Sequence, residues 1–97
     1  MTINQIKEIV TSTIREYCQL NEVEVVELNE YTPLIGKDSI LDSIGLVNVI
    51  VDIETAFLDE DVEVSLTSDA AMSARISPFR TIGALSHFIA RQLGVEK

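Results

Sequence analysis

The chain has few of the residues that build redox, zinc or nucleic-acid sites. Cys18 is the only cysteine among 97 residues, which excludes an internal disulfide and a cysteine-rich zinc site. We expect Cys18 to be a small buried hydrophobe. Tryptophan is absent, and seven Lys and Arg residues stand against sixteen Asp and Glu residues, for a net charge of -9. Arg75, Arg80 and Arg91 are too few and too scattered to bind nucleic acid.

Positive charge is missing altogether from the middle of the chain. No Lys or Arg lies between Lys37 and Arg75, whereas nine acidic residues do. A field of this sign repels phosphate backbones and anionic lipid and favours basic protein surfaces. The alternative is that these carboxylates serve only solubility.

Long hydrophobic runs are lacking as well. The N-terminal residues do not have the charged and apolar regions of a secretory signal, and no apolar run reaches the length of a membrane span. We therefore expect a cytoplasmic protein without membrane insertion. An apolar content of 46% over this length predicts one domain, residues 1–97, that buries about 60–65% of the surface of its unfolded chain.

Apolar residues recur at helical spacing in three long segments. The first covers residues 3–20 with Thr2 as its cap, and the second covers residues 43–57. The last runs from a cap at Thr81 to a terminating Gly94.

Two further segments complete the predicted order. Residues 21–42 form a long connection whose apolar side chains suggest that it packs against the helices. Residues 66–74 are predicted to form a short helix, and Ser77-Pro78 interrupts the helical pattern after it. The pattern predicts an all-α fold, a small bundle of four helices of which the third is short.

The second predicted helix has apolar residues on two sides. At about one hundred degrees per residue, one side carries the core stripe of Leu46, Val49, Ile50, Ile53 and Phe57. The opposite side carries Ile44, Val47 and Val51, here called the outer strip. Its margin holds Asn48, Asp52, Glu54 and Thr55. Such a layout is typical of a protein-docking site, although the long connection folding over the strip is the alternative.

This helix begins with the motif Leu41-Asp42-Ser43-Ile44-Gly45. Asp42 or Ser43 is expected to accept hydrogen bonds from the amides of the first turn. Ser43 is either that cap or a covalent attachment point, because a helix N-terminus favours a phosphate group. Gly45 costs ~0.5–1 kcal/mol of helix propensity, which favours a close approach by a prosthetic group or a modifying enzyme.

Three stretches of the chain resemble the acyl carrier protein family. Asp42-Ser43-Ile44 is similar to the family's Asp-Ser-Leu signature, and Phe57 follows Ser43 by fourteen residues, as the helix-closing phenylalanine does in the family. Residues 39–47 are similar to D-alanyl carrier proteins, and residues 79–85 resemble the family's entry to the last helix.

The resemblance implies a stand-alone acyl or aminoacyl carrier, monomeric and not itself an enzyme, with the acyl-carrier type of four-helix bundle. Ser43 would receive 4'-phosphopantetheine from coenzyme A through a magnesium-dependent phosphopantetheinyl transferase, and the arm's thiol would hold the cargo as a thioester. The other implied partners are a loading ligase and a downstream synthase or transferase. The predicted partner-recognition residues are Asp42, Ile44, Gly45, Val47, Val51, Asp52 and Glu54.

Ser39 is a rival attachment site, because it also follows an aspartate. The interval to Phe57 would then be eighteen residues, out of register with the family pattern. Gly45, Asn48 and Thr55 stand where carriers of primary fatty acid synthesis usually show acids, and the stretch between Phe57 and Thr81 is long. The chain is therefore expected to be a specialised carrier with its own partners.

The rival function is an unmodified acidic helical adaptor that binds a basic protein through the outer strip. A calcium loop at residues 59–63 is not expected, because it lacks the glycine at the sixth position and the glutamate at the twelfth. His87, the only histidine, has no serine or cysteine partner at a spacing that would indicate a catalytic dyad. No metal site is predicted.

Overall fold

The structure of the chain is a computed structural model. It describes residues 2–23, 27–35, 40–66 and 79–95, with the main chain but not the side chain of Ser43.

Within these ranges the regular secondary structure is entirely helical, with three helices and no strand. They are α1 (Ile3–Leu20), α2 (Ser43–Leu58) and α3 (Ile82–Gln92). The three long helices predicted from the apolar spacing are thus confirmed. The predicted short helix at residues 66–74 lies, apart from Leu66, outside the described residues. Among the helices described, none is both long and apolar enough to cross a membrane.

Each flanking helix starts at the threonine predicted to cap it. Thr2 Oγ1 accepts from the amide of Gln5 at 3.2 Å, and Gln5 Oε1 accepts from the amide of Thr2 at 2.8 Å. This reciprocal pair is a capping box, which satisfies two backbone donors of the first turn. Thr81 Oγ1 accepts from the amide of Ala84 at 3.0 Å and starts α3 in the same way.

The ends of α1 and α3 share one hydrogen-bond pattern. At α3, Gly94 has φ 72 and the amide of Val95 donates to the carbonyl of Ala90 at 2.8 Å. At α1, Glu22 has φ 55 and the amide of Val23 donates to the carbonyl of Cys18 at 2.8 Å. A left-handed residue after the last turn lets the chain reverse while its carbonyls stay bonded. Gly94 adopts this conformation without the steric cost that a β-carbon adds at Glu22.

The core forms on α1, which packs against both α2 and α3. Each helix contributes one apolar stripe, as expected for helices that bury a single face. The buried residues are Ile6, Val10, Ile14 and Cys18 of α1, Val49, Ile50, Ile53 and Phe57 of α2, and Ile82, Leu85, Ile89 and Ala90 of α3. The connecting segments add Leu34, Leu41, Val64, Leu66 and Phe79. Packing of the long connection is thus confirmed for Leu34 and Leu41.

Residues 29–34 are bonded to the start of α3 through the backbone. The carbonyl of Thr32 accepts from the amide of Ile82 at 3.1 Å, and the carbonyl of Glu30 accepts from the amide of Gly83 at 2.8 Å. On the other side of Thr81, the amide of Leu34 donates to the carbonyl of Arg80 at 3.1 Å. The bonds from Ile82 and Gly83 satisfy amides at a helix start, where no intrahelical acceptor exists.

Glu30 also ties this segment to α1. Its Oε2 accepts from Lys7 Nζ at 2.9 Å, in a pair whose side chains are both partly exposed. The hydrogen bond from Lys7 lowers the pKa of Glu30 from its ordinary value, and the charge of Lys7 acts in the same direction. A carboxylate of lowered pKa contributes its stabilisation at neutral pH and loses it as the pH falls through that pKa. Solvent screening keeps the contribution small.

Gly83→Ala is expected to destabilise the protein, although alanine is the better helix former. A β-carbon there would lie 2.8 Å from the Glu30 carbonyl oxygen and 3.1 Å from Glu30 Cβ. Displacing this backbone should lower the free energy of unfolding by ~1–3 kcal/mol, measured by urea denaturation. His87→Ala, at an exposed position of the same helix, is the control and should change it by no more than ~0.5 kcal/mol. A Gly83→Ala variant as stable as the parent would contradict the close approach.

Candidate functional site

Asp42 is the residue that caps α2. Its backbone is extended, with φ -88 and ψ -178, and its Oδ1 accepts from the amide of Gly45 at 2.6 Å. Ser43 is then the first residue of the helix. Of the two caps that the sequence left open, Asp42 is therefore confirmed, and the interpretation of Ser43 as the cap is wrong.

The first turn of α2 lies at the protein surface. Asp42 and Ile44, the residues on either side of Ser43, are both exposed, and Ile44 keeps 74% of its accessible surface. The helix dipole places partial positive charge at this end. Ser43 is therefore the first residue of an exposed helix terminus that electrostatically favours a phosphate.

The outer strip is open to solvent. Val47 is 60% exposed and Val51 is 53% exposed, so the described part of the long connection, residues 21–23, 27–35 and 40–42, does not cover them. On the opposite side of α2, Val49, Ile50, Ile53 and Phe57 are buried and Leu46 is partly buried, which confirms the predicted core stripe.

Leu58 continues the outer strip to the end of α2, a continuation that the sequence analysis missed. It follows Val51 by seven residues, or about two helical turns, so it projects on the same side of the helix. Its side chain is 60% exposed. The signal was present in the sequence, but the expected helix ended at Phe57, one residue short of it.

The two acids predicted in the margin of the outer strip, Asp52 and Glu54, differ in their exposure. Asp52 is exposed beside the outer strip. Glu54 is only partly exposed, and its Oε2 accepts from the amide of Leu66 at 2.8 Å. Glu54 thus has an internal contact that the sequence did not predict.

Gln92 of α3 forms two hydrogen bonds with Ser65, the residue before Leu66. Its Oε1 accepts from the amide of Ser65 at 3.0 Å, and its Nε2 donates to the carbonyl of Ser65 at 2.6 Å. With the bond from Glu54 to Leu66, this pair attaches residues 62–66 to both α2 and α3.

Gly45 has an internal neighbour that the sequence did not predict. The residue is buried, and a β-carbon there would lie 2.9 Å from Tyr17 Oη and 3.0 Å from Asp42 Oδ1. Tyr17 belongs to α1 and is partly buried against the core. The Tyr17 side chain therefore accounts for the absent side chain at position 45.

An open cleft of about 430 Å³ lies between α1 and the end of α2. Its lining residues are Gln5, Glu8, Ile9, Ser12, Thr13, Glu16, Ala56, Asp59 and Glu60. Four carboxylates among them make this cleft unsuitable as a shelter for an apolar acyl chain. It does not include Ser43 or the outer strip.

Cys18 is buried in the core, with 3% of its surface exposed. Burial raises the pKa of its thiol, so the thiol stays protonated at neutral pH. A protonated, buried thiol is a poor nucleophile. The expectation of a small buried hydrophobe is confirmed. His87 is exposed on α3, and the rival serine, Ser39, lies outside the described residues.

Comparison of the chain with protein-family models, with curated proteins and with solved structures finds no match.

Val47 and Val49 provide a matched pair that tests the two sides of α2. Val49 is fully buried, so Val49→Ala should lower the free energy of unfolding by about 2 kcal/mol through lost burial and a cavity. Val47→Ala should change it by no more than ~0.5 kcal/mol, because that side chain is mostly in water. Urea denaturation of the two variants measures the difference, and equal losses would contradict the exposure of the outer strip.

Glu54→Ala should lower the free energy of unfolding by ~1–2 kcal/mol, because the amide of Leu66 loses its acceptor. Glu54→Gln keeps an oxygen acceptor and should retain most of that stability. Asp52→Ala, at an exposed position of the same helix, is the matched control with little expected effect. Thermal and urea unfolding provide the measurement, and a Glu54→Ala variant as stable as the Asp52→Ala variant would contradict the internal role.

Proposed function

We propose that this chain is a stand-alone acyl or aminoacyl carrier protein that holds its cargo on 4'-phosphopantetheine attached to Ser43. In this proposal residues 1–97 form one carrier domain, a cytoplasmic monomer with the four-helix bundle of the acyl-carrier type. The short third helix of this proposal is the one predicted at residues 66–74. The protein is a substrate and partner of enzymes and not a catalyst.

The observation that carries the proposal is the identity of the cap at the start of α2. Asp42 makes the cap bond to the amide of Gly45, so Ser43 is not required for that bond. Because Asp42 is the cap, a capping role does not account for the serine that directly follows it. Together with the resemblance of Asp42-Ser43-Ile44 to the carrier signature, this favours covalent attachment over capping.

The residues at this turn fit a phosphodiester. The amides of Ser43 and Ile44 are the first two of α2 and have no acceptor within the helix, and the helix dipole favours negative charge there. The Asp42 carboxylate opposes that charge, but it is exposed and hence screened by solvent and salt. When bound, the arm would supply a terminal thiol that carries the cargo as a thioester.

The outer strip supplies a surface on which a partner could dock. Ile44, Val47 and Val51 offer apolar area next to the attachment residue, and the exposed Asp42 and Asp52 favour a partner of opposite charge. The partners in this proposal are a phosphopantetheinyl transferase, a loading ligase and a downstream synthase or transferase. Glu54 and Gly45 are the weaker members of the predicted recognition set, because each has an internal contact.

The alternative is an unmodified adaptor that binds a basic protein through the same outer strip. The exposure of the strip is compatible with both functions. The adaptor, however, predicts that Ser43 can be replaced without loss of function.

Incubation with coenzyme A, Mg²⁺ and a broad-specificity phosphopantetheinyl transferase should add the mass of one arm to the intact protein. Ser43→Ala should abolish the added mass, and Ser39→Ala should leave it unchanged. Intact-mass spectrometry reads the result, and circular dichroism establishes that both variants are folded. Addition to the Ser43→Ala variant, or no addition to the parent, would overturn the proposal.

A thiol titration of the native protein gives an independent readout. The parent should show almost no rapidly reacting thiol before modification, because Cys18 is buried. One rapidly reacting thiol should appear after arm transfer, and Cys18→Ser should not remove it.

A further inference from the structure

The contact between α1 and the first turn of α2 is unusually close at Gly45. The position of a β-carbon at residue 45 is 2.9 Å from Tyr17 Oη and 3.4 Å from Tyr17 Cε2. Real β-carbons essentially never approach another heavy atom to within 3.0 Å. The Tyr17 side chain thus occupies the space that the β-carbon of any other residue at position 45 would need.

Tyr17 cannot move away at no cost. Its side chain is partly buried and packs against the hydrophobic core, one residue before the buried Cys18. Interiors are packed densely enough that displacing such a ring shifts its neighbours. Asp42 Oδ1 is also near the β-carbon position, at 3.0 Å, but Asp-capped helices ordinarily carry side chains at the third residue. The obstacle particular to this chain is therefore the hydroxyl of Tyr17.

We propose that Tyr17 is a positioning residue for modification at Ser43, an inference that rests on the proposed carrier function. The ring of Tyr17, fitted against Gly45, determines where the first turn of α2 lies on α1. Ser43 is the first residue of that turn, two positions before Gly45. Bending this turn away from α1 therefore displaces the attachment residue relative to Val47 and Val51 in the following turns of α2, the surface on which the transferase would dock.

The same contact limits which side chain a partner can meet at residue 45. Any side chain at residue 45, an acid included, would overlap Tyr17. Partners of this chain therefore meet no carboxylate at residue 45. Their recognition is expected to depend on Asp42 and the outer strip.

The test uses four forms of the 97-residue chain: the parent, Gly45→Ala, Tyr17→Phe and the double variant. The rate of arm transfer from coenzyme A by a broad-specificity transferase is measured well below each unfolding temperature. Gly45→Ala should reduce kcat/KM for the carrier by about tenfold, as expected when a reacting group is misplaced by a fraction of an ångström to 1 Å. Tyr17→Phe removes the single atom at 2.9 Å and leaves the ring, so it should restore most of the rate to the Gly45→Ala variant.

Tyr31→Phe combined with Gly45→Ala is the matched control. Tyr31 is 78% exposed and is not among the atoms closest to the β-carbon position of residue 45. Loss of its hydroxyl should restore nothing. Restoration by Tyr17→Phe and not by Tyr31→Phe would support the proposal, because a general effect of the tyrosine-to-phenylalanine change would act in both.

Three outcomes would overturn the inference while leaving the carrier function standing. They are a Gly45→Ala variant modified at the parental rate, a slow variant that Tyr17→Phe does not restore, and equal restoration by Tyr31→Phe. If Gly45→Ala does not fold, a double variant with Tyr17→Phe that folds and is modified supports the inference, and one that stays unfolded overturns it. A parent protein that accepts no arm overturns the carrier function itself, and this inference with it.

Discussion

The described structure depends on the burial of one face of α1. Ile6, Val10, Ile14 and Cys18 recur every four residues, and all four are almost fully removed from water. Because α2 and α3 both pack against α1, this stripe is the shared surface of the core. Each partner helix needs only one apolar face to complete it. An apolar residue on another side of α2 is not needed to complete the core, and this is why the outer strip lies at the surface.

The remaining contacts place the helices in register on α1. Caps at Thr2, Asp42 and Thr81 define where each helix begins, and they satisfy amides that would otherwise lack an acceptor. Two glycines then allow close approaches: Gly83 admits the backbone at Glu30, and Gly45 admits the ring of Tyr17. Both glycines lie in the first turn of their helix. The cost in helix propensity is local, whereas the contact that each permits joins distant parts of the chain.

The candidate site is a by-product of the same arrangement. The helix that begins at Ser43 buries its core stripe against the rest of the protein, so its opposite side faces solvent, as do Asp42 and Ile44 at its start. Ser43 and the outer strip lie on one helix, so no loop is needed to bring them together. Their relative positions follow from helical periodicity. In the proposed function they are the attachment residue and the docking surface.

The sequence by itself was sufficient for the three long helices, the threonine caps of the first and last helix and the two faces of α2, because these depend on periodicity and on neighbours within about four residues. The alternatives of cap and attachment point at Ser43 also came from local spacing, but choosing Asp42 as the cap required the bond to Gly45. Only the tertiary structure assigned Glu54 to the amide of Leu66, twelve residues away, and Tyr17 to the space at Gly45. These contacts join segments that are distant in the chain, and no pattern of short-range spacing encodes which side chain reaches them. Exposure of the outer strip was likewise decided in three dimensions, because it depends on where the long connection packs.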